Sequence, residues 1–193
     1  MVRINRVYTR SGDDGTTALG DGRRLPKFNL RVVAYGSIDE ANAFLGLARA
    51  QASASTAQSL LHIQNDLFDL GADLCRPETP EAAKQPLRVV DQQVEWLEQA
   101  IDEVTARLEP LHSFILPGGR SAAGLLHVAR VVVRRAEREM TELASHEAVN
   151  QAALRYVNRL SDLLFVLARM ENDAGRDDVP WRPGLHRIQA AQG

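Results

Sequence analysis

Four stretches of this chain carry side chains suited to binding and catalysis. The first is Thr9-Arg10-Ser11-Gly12-Asp13-Asp14-Gly15-Thr16-Thr17, which runs on to Arg23, Arg24 and Lys27. Glycines allow backbone N–H groups to curl around an anion. The hydroxyls of Thr9, Ser11, Thr16 and Thr17 add donors, and Lys27 adds a charge that can neutralise phosphate. No G-K-[ST] closes the run, so it is not a Walker A loop. The second is His127, Arg130, Arg134 and Glu137, spaced by three, four and three residues. At about 100° per residue this spacing sets them on one helix face, with Arg135 and Arg138 on the flanks. Guanidinium forks can each grip two oxygens of a polyphosphate, and Glu137 can orient Arg134.

The third set, Asn158, Asp162, Phe165 and Arg169, steps by four, three and four. An amide beside an apolar stripe can hold a ribose or a phosphate. The fourth is Phe114-Ile115-Leu116-Pro117-Gly118-Gly119. An apolar run that ends in Pro-Gly-Gly either seals one end of the molecule or pushes a wedge into a ligand pocket. Each set also has a plain structural reading: a polar terminus, a solvated helix face, an amide bonded to its neighbour, a closed end. Two other signals carry little. Glu109-Pro110-Leu111-His112 has the Glu-x-x-His spacing of di-iron bundles but occurs once and contains proline. His146-Glu147 lacks the second histidine of a metalloprotease. His62 borders an apolar stripe and reads as structural.

The second and third sets are carried by helices, and the first and fourth by the segments that flank or join them. Ser37-Ile38-Asp39-Glu40 is a capping box, which places the first helix start at Ser37. Ile38, Ala41, Leu45 and Ala48 follow at helical steps. A second stripe is Leu60, Ile63, Leu67, Leu70 and Leu74, and a third is Val94, Leu97, Ile101, Val104 and Leu108, capped by Asp91. The fourth is Leu125, Ala129, Val132, Ala136, Met140 and Leu143, and the fifth is Ala153, Val157, Leu160, Leu164 and Leu167. Pro77, Pro80, Pro86, Pro110 and Pro117-Gly118-Gly119 break them, and Gly175 suits a C-terminal cap. The expected fold class is all-α: a five-helix bundle with an irregular N-terminal nucleotide-binding arm. It is expected as a single domain over residues 1–193, with an arm over 1–35, a bundle over 37–173 and a tail over 174–193.

The 193 residues suffice for one domain with a sizeable core. Hydrophobic residues are 45% and charged residues 25%, as in soluble globular proteins. With a formal net charge of -2, no global field gathers nucleic acid or an anionic membrane, so an anion site must be built locally. The single cysteine, Cys75, excludes an internal disulfide and a cysteine zinc site. No apolar run reaches the roughly 18 residues of a membrane span, and the N-terminus has no signal-peptide pattern. The expectation is a cytoplasmic protein with neither a nucleic-acid nor a membrane partner.

Taken in order, these motifs resemble the PduO-type cobalamin adenosyltransferases. The resemblance rests on the Thr9–Thr17 run with Lys27, Tyr35-Gly36-Ser37-Ile38-Asp39-Glu40-Ala41-Asn42, and Ile63-Gln64-Asn65-Asp66-Leu67-Phe68. It rests equally on Phe114-Ile115-Leu116-Pro117-Gly118-Gly119, Arg134-Arg135-Ala136-Glu137-Arg138, and Tyr156-Val157-Asn158-Arg159-Leu160-Ser161-Asp162. It spans about residues 6–184. Asp14 stands where some relatives carry lysine, and Ala41 where leucine is common.

The resemblance implies transfer of the 5′-deoxyadenosyl group of ATP to the cobalt of cob(I)alamin, giving adenosylcobalamin and triphosphate. It implies ATP contacts from Thr9, Arg10, Ser11, Gly12, Thr17, Lys27, Arg134, Arg135, Glu137, Arg138 and Asn158. It implies a homotrimer with sites between subunits, with Asp39 pairing Arg130 across the interface beside the corrinoid, and Phe114 over the lower axial face of cobalt. Arg134, Phe114, Asp39 and Arg130 would carry the catalytic roles. Magnesium would accompany ATP without an assigned protein ligand. A corrinoid reductase and an adenosylcobalamin-dependent enzyme are candidate partners. Two other readings stand beside it: a non-catalytic bundle that carries or delivers a corrinoid, and a purely structural bundle.

Overall fold

The computed structural model describes residues 7–78 and 86–185. The first six residues of the arm and the last eight of the tail lie outside the described residues, as do Thr79 and Pro80 of the second break. Five helices follow a small hairpin: α1 (Leu30–Arg49), α2 (Ala54–Leu74), α3 (Asp91–Thr105), α4 (Ser121–His146) and α5 (Gln151–Glu171). α1 packs against α2 and α4, α5 packs against α4 and α3, and a smaller α2–α5 contact closes the core. The loops at 50–53 and 147–150 are short enough to make α1–α2 and α4–α5 antiparallel neighbours. Among the described residues no helix is long and apolar enough to cross a membrane.

The apolar stripes become the core largely as spaced. Ile38, Ala41, Leu45 and Ala48 of α1, all five stripe residues of α2, and all five of α5 are buried. On α4 the stripe is shifted: Leu126 is buried in place of Leu125, which is half-buried. Leu108 lies beyond the end of α3.

Three local readings are corrected. The arm is not wholly irregular: β1 (Thr16–Ala18) pairs antiparallel with β2 (Arg24–Pro26), with Thr17 opposite Leu25. The strands are too short for a period of two to show in the sequence. α1 starts at Leu30, seven residues before Ser37. Asn29 caps it by accepting the Arg31 amide at 3.0 Å, and the buried Ala34 extends the stripe backwards. Ser37 is therefore a buried mid-helix residue despite its capping-box spacing. At α3, Asp91 is the first helical residue and Val90 the cap; the Gln93 side chain accepts the Val90 amide at 3.0 Å.

Polar groups tie the helices where apolar packing alone would let them slide. The buried Tyr156 hydroxyl of α5 donates to Asp66 of α2 at 3.0 Å, and Gln93 of α3 donates to the same carboxylate at 2.9 Å. His62 stacks on Trp96 with ring centroids 3.8 Å apart, in keeping with a structural role. Asn150, the cap of α5, donates to Asp73 at 2.7 Å and to the Val89 carbonyl at 2.8 Å.

Candidate functional site

The hairpin turns the arm into a loop with a defined cationic rim. β1–β2 pairing brings Lys27 back beside Gly15, whose carbonyl accepts the Lys27 amide at 2.9 Å. Gly12 lies so close to Lys27 that a Cβ there would sit 3.1 Å from the Lys27 Nζ. On either side of Gly12 the backbone turns through the left-handed region, at Arg10 (φ 61) and Gly15 (φ 79). Thr9 and Ser11 share a hydroxyl–hydroxyl hydrogen bond of 2.8 Å. Asp14 accepts from the Thr16 amide and hydroxyl, and these bonds hold its carboxyl below the usual range. Arg24, outside the expected set of contacts, donates to the Ser11 carbonyl and the Thr16 hydroxyl. The register sets Arg24 opposite Ala18, two residues along β1 from Thr16, a relation legible only once the strand pairing is known. The arm is anchored to the end of α2: Gly20 donates to the Cys75 carbonyl at 2.8 Å, and Arg76 donates to the Gly20 carbonyl at 3.1 Å.

The second and third residue sets meet in one groove between α4 and α5. Asn158 donates to Glu137 at 2.8 Å, Arg134 reaches the Ser161 hydroxyl at 3.5 Å, and His127 meets Phe165 edge-on at 6.2 Å between centroids. Arg138 donates to the Arg134 carbonyl at 3.1 Å. Among the described residues, Arg130, Arg134 and Arg138 make no ion pair within the chain. Arg135, on the flank, is instead tied to Glu40 of α1 and lies 3.8 Å from Glu139. Arg130 is half-buried, and its Nε is buried without a partner. Burial, and then the charge of Arg134, lower its pKa. Burial also lowers the pKa of His127, with Arg130 next in effect and Asp178 opposing. Asp162 is pushed up by burial, with Arg159 and Arg134 acting against that. Arginines that make no ion pair among the described residues, with Glu137 engaged by Asn158, leave room for an anion from outside.

Arg169 leaves its set. It is taken up in a buried ion pair with Asp178 at 2.8 Å rather than meeting the α4 arginines. Phe114 does not seal the bundle. It is 78% exposed at the tip of the α3–α4 connection. Its backbone is held by the tail: Trp181 donates to the Phe114 carbonyl at 2.7 Å, Leu116 donates to the Val179 carbonyl at 2.8 Å, and Ile115 bridges Pro180. The Trp181 ring tilts 56° to the Phe114 ring at 6.2 Å. Beside them lies an open recess lined by Leu116, Val179, Pro180, Trp181 and Leu185.

Asp39 is exposed on α1 and makes no ion pair with Arg130 inside the chain. Among the described residues no hydrogen bond or ion pair joins residues 9–27 to Arg134, Arg138 or Asn158. The two cationic elements are thus each formed, with no bond between them among the described residues. Nor do the described residues contain a group of three or more His, Cys, Asp or Glu able to hold a metal ion.

Residues 7–171 match the family model for cobalamin adenosyltransferase. A corrinoid adenosyltransferase of Mycobacterium tuberculosis is 49% identical over 190 residues, which cover 96% of this chain and 97% of that one. The corrinoid adenosyltransferase PduO of Salmonella typhimurium is 47% identical over 167 residues, covering 86% of this chain and 49% of its own length. Among solved structures, a variant of the PduO-type ATP:corrinoid adenosyltransferase from Lactobacillus reuteri, complexed with cobalamin and ATP, superimposes with a TM-score of 0.84 at 38% identity. That match covers 92% of this chain and 99% of the other. A second variant of that enzyme, complexed with ATP, gives a TM-score of 0.83 at 38% identity, covering 92% and 100%.

Proposed function

This chain belongs to the cobalamin adenosyltransferase family, and on that premise we propose how its residues divide the work. It is an ATP:corrinoid adenosyltransferase, which moves the 5′-deoxyadenosyl group of ATP to the cobalt of cob(I)alamin and releases triphosphate. Co(I) of the substrate is the nucleophile. Its electron pair forms the cobalt–carbon bond to C5′, while the C5′–O5′ pair departs with the triphosphate. The chain therefore has no need of a serine or cysteine nucleophile. Its part is positioning, and stabilising the charge that grows on the leaving group.

We assign that charge to two elements. In the arm, Thr9, Arg10, Ser11, Gly12, Thr17 and Lys27 surround the phosphates. On the helices, Arg134, Arg135, Glu137, Arg138 and Asn158 hold the nucleotide from the other side. The observation that carries this assignment is the guanidinium groups of Arg134 and Arg138 on α4, which make no ion pair among the described residues, beside an Asn158–Glu137 pair already fixed in place. With no carboxylate cage among the described residues, magnesium fits as an ion held by phosphate oxygens and water.

Because no hydrogen bond or ion pair among the described residues joins the arm to the groove, the site is best completed by a neighbour, in a homotrimer with one site per interface. An exposed Asp39 and a half-buried Arg130 that lacks a partner fit a pair formed across that interface, next to the corrinoid. Phe114 is the group for the lower face of cobalt. Exposed on a braced loop, it displaces the axial base and water, leaving a four-coordinate Co(II) that accepts an electron more readily. A corrinoid reductase upstream and an adenosylcobalamin-dependent enzyme downstream follow from the chemistry of substrate and product. The direct test is an absorbance assay with the protein, reduced cobalamin and ATP-Mg. A spectrum of adenosylcobalamin that develops only with all three present is expected. An unchanged cob(I)alamin spectrum would refute the activity.

A further inference from the structure

The bonds that hold the Phe114 loop lead back to one buried cluster at the C-terminal end of α5. Asn172, 3% exposed, accepts the Arg120 amide through Oδ1 at 3.2 Å and donates through Nδ2 to Asp178 at 2.9 Å. The other oxygen of Asp178 accepts from Arg169 Nε at 2.8 Å, and Arg169 Nη2 donates to the Glu109 carbonyl at 2.9 Å. The Arg169 and Asp178 side chains are only 8% and 6% exposed. Three stretches of chain are joined here. Glu109 is where the chain enters the α3–α4 connection, Gly119–Arg120 is where it leaves, and Asp178 lies in the tail just before its contact with the loop.

The tail then runs straight to the wedge. Val179, Pro180 and Trp181, the three residues after Asp178, are the ones that pair with Leu116, Ile115 and Phe114. Two glycines give the cluster its room. Gly119 has φ 109, and a Cβ there would meet Asn172 Oδ1 at 2.1 Å. Gly175 has φ 83, and a Cβ there would lie 2.9 Å from Arg169 Nη2. Asp173 and Ala174 also take left-handed backbone, at φ 56 and 53, so the chain reverses after α5 and delivers Asp178 to Arg169.

We propose that Asp178, Arg169 and Asn172 are positioning residues for the corrinoid step: they grip the Phe114 loop at both ends and set the height of the ring over cobalt. This rests on the assignment of Phe114 to the lower axial face. A buried, paired carboxylate is a suitable brace because its geometry is held by several bonds and does not relax like a surface contact. A shift of the ring by a fraction of its own thickness would readmit water or the axial base to Co(II). The reduction, one electron passing from a reduced flavin to Co(II), would then slow. The later attack of Co(I) on C5′ has no axial ligand to lose and would be spared.

The experiment measures turnover from two starting points, Co(II) corrinoid with a reduced flavin as donor, and chemically pre-reduced Co(I) corrinoid. Wild type, Asp178→Asn, Phe114→Ala and the double variant are compared. The positioning role predicts that Asp178→Asn loses at least about tenfold from Co(II) and less than about threefold from Co(I), with KM for ATP unchanged. It also predicts a double variant no slower from Co(II) than Phe114→Ala alone, because both changes remove one function. Asp178→Asn slowing both assays equally, or adding fully to Phe114→Ala, overturns the proposal. If Phe114→Ala is crippled from Co(II) while Asp178→Asn is untouched, the brace fails and the wedge stands. If Phe114→Ala is itself silent, both fail. Should Asp178→Asn lack a cooperative melt, Gly119→Ala, which keeps every buried charge and displaces Asn172, is judged by the same criteria.

Discussion

Arg130 and Arg134 sit one turn apart on α4, and neither makes an ion pair within the chain among the described residues. Like charges placed so close, with burial lowering the pKa of Arg130, are tolerated where a polyanion is to be bound. A charge-assisted hydrogen bond contributes about 1.5–3 kcal/mol, so Arg134→Ala should lower kcat/KM for ATP by roughly 10- to 100-fold. Unchanged kinetics would take Arg134 out of the site. His127 supports a second prediction. Burial holds its folded pKa below 6.5, so as pH falls through 6.5 the unfolded chain takes up a proton that the folded chain refuses. Stability should therefore drop on acidification below that point, and the His127→Gln variant should lose less between about pH 7.5 and about pH 5.5. Identical melting shifts in the two proteins would contradict this.

Among the elements, α2, α3 and α5 are registered by Asp66. Its two oxygens take the Gln93 amide and the Tyr156 hydroxyl, at 2.9 and 3.0 Å, and His62 Nε2 lies 3.6 Å from the second of them. Burial, and then the Asp66 charge, raise Tyr156 well above its ordinary pKa, so the hydroxyl stays protonated and keeps donating. Tyr156→Phe leaves a buried carboxylate short of a donor and should cost about 1–3 kcal/mol, read as a lower denaturant midpoint at constant m-value. A change within error would mean that Gln93 and His62 satisfy Asp66 without the Tyr156 hydroxyl. Because α5 also carries Asn158 and Ser161, this register bears on the groove as well as on stability.

For the whole molecule, the proposed function makes the arm and the α4 groove two halves of one site. If adjacent subunits supply them, variants that each lack one half should complement each other. Lys27→Ala and Arg134→Ala, each nearly inactive alone, should regain about a quarter of wild-type activity when unfolded together and reassembled, since about one interface in four then joins two intact halves. A mixture that shows only the sum of its parts would place the whole site within one chain.

The helices, and the grouping of Arg130, Arg134 and Glu137 on one face, were legible in the sequence because a period of 3.6 residues is a local property of the chain. So was the cationic, glycine-rich character of the arm. The start of α1 was not, since Ser37 has the spacing of a cap and only packing reveals that Ala34, a turn earlier, is already buried. Nor did spacing tell Asn158 from Arg169. Both share a face of α5, yet one meets Glu137 across α4 while the other turns to Asp178 nine residues on. Those partners depend on how the helices are rotated against each other and on a left-handed reversal after α5. Such choices are made by long-range packing, which residue spacing along the chain does not encode.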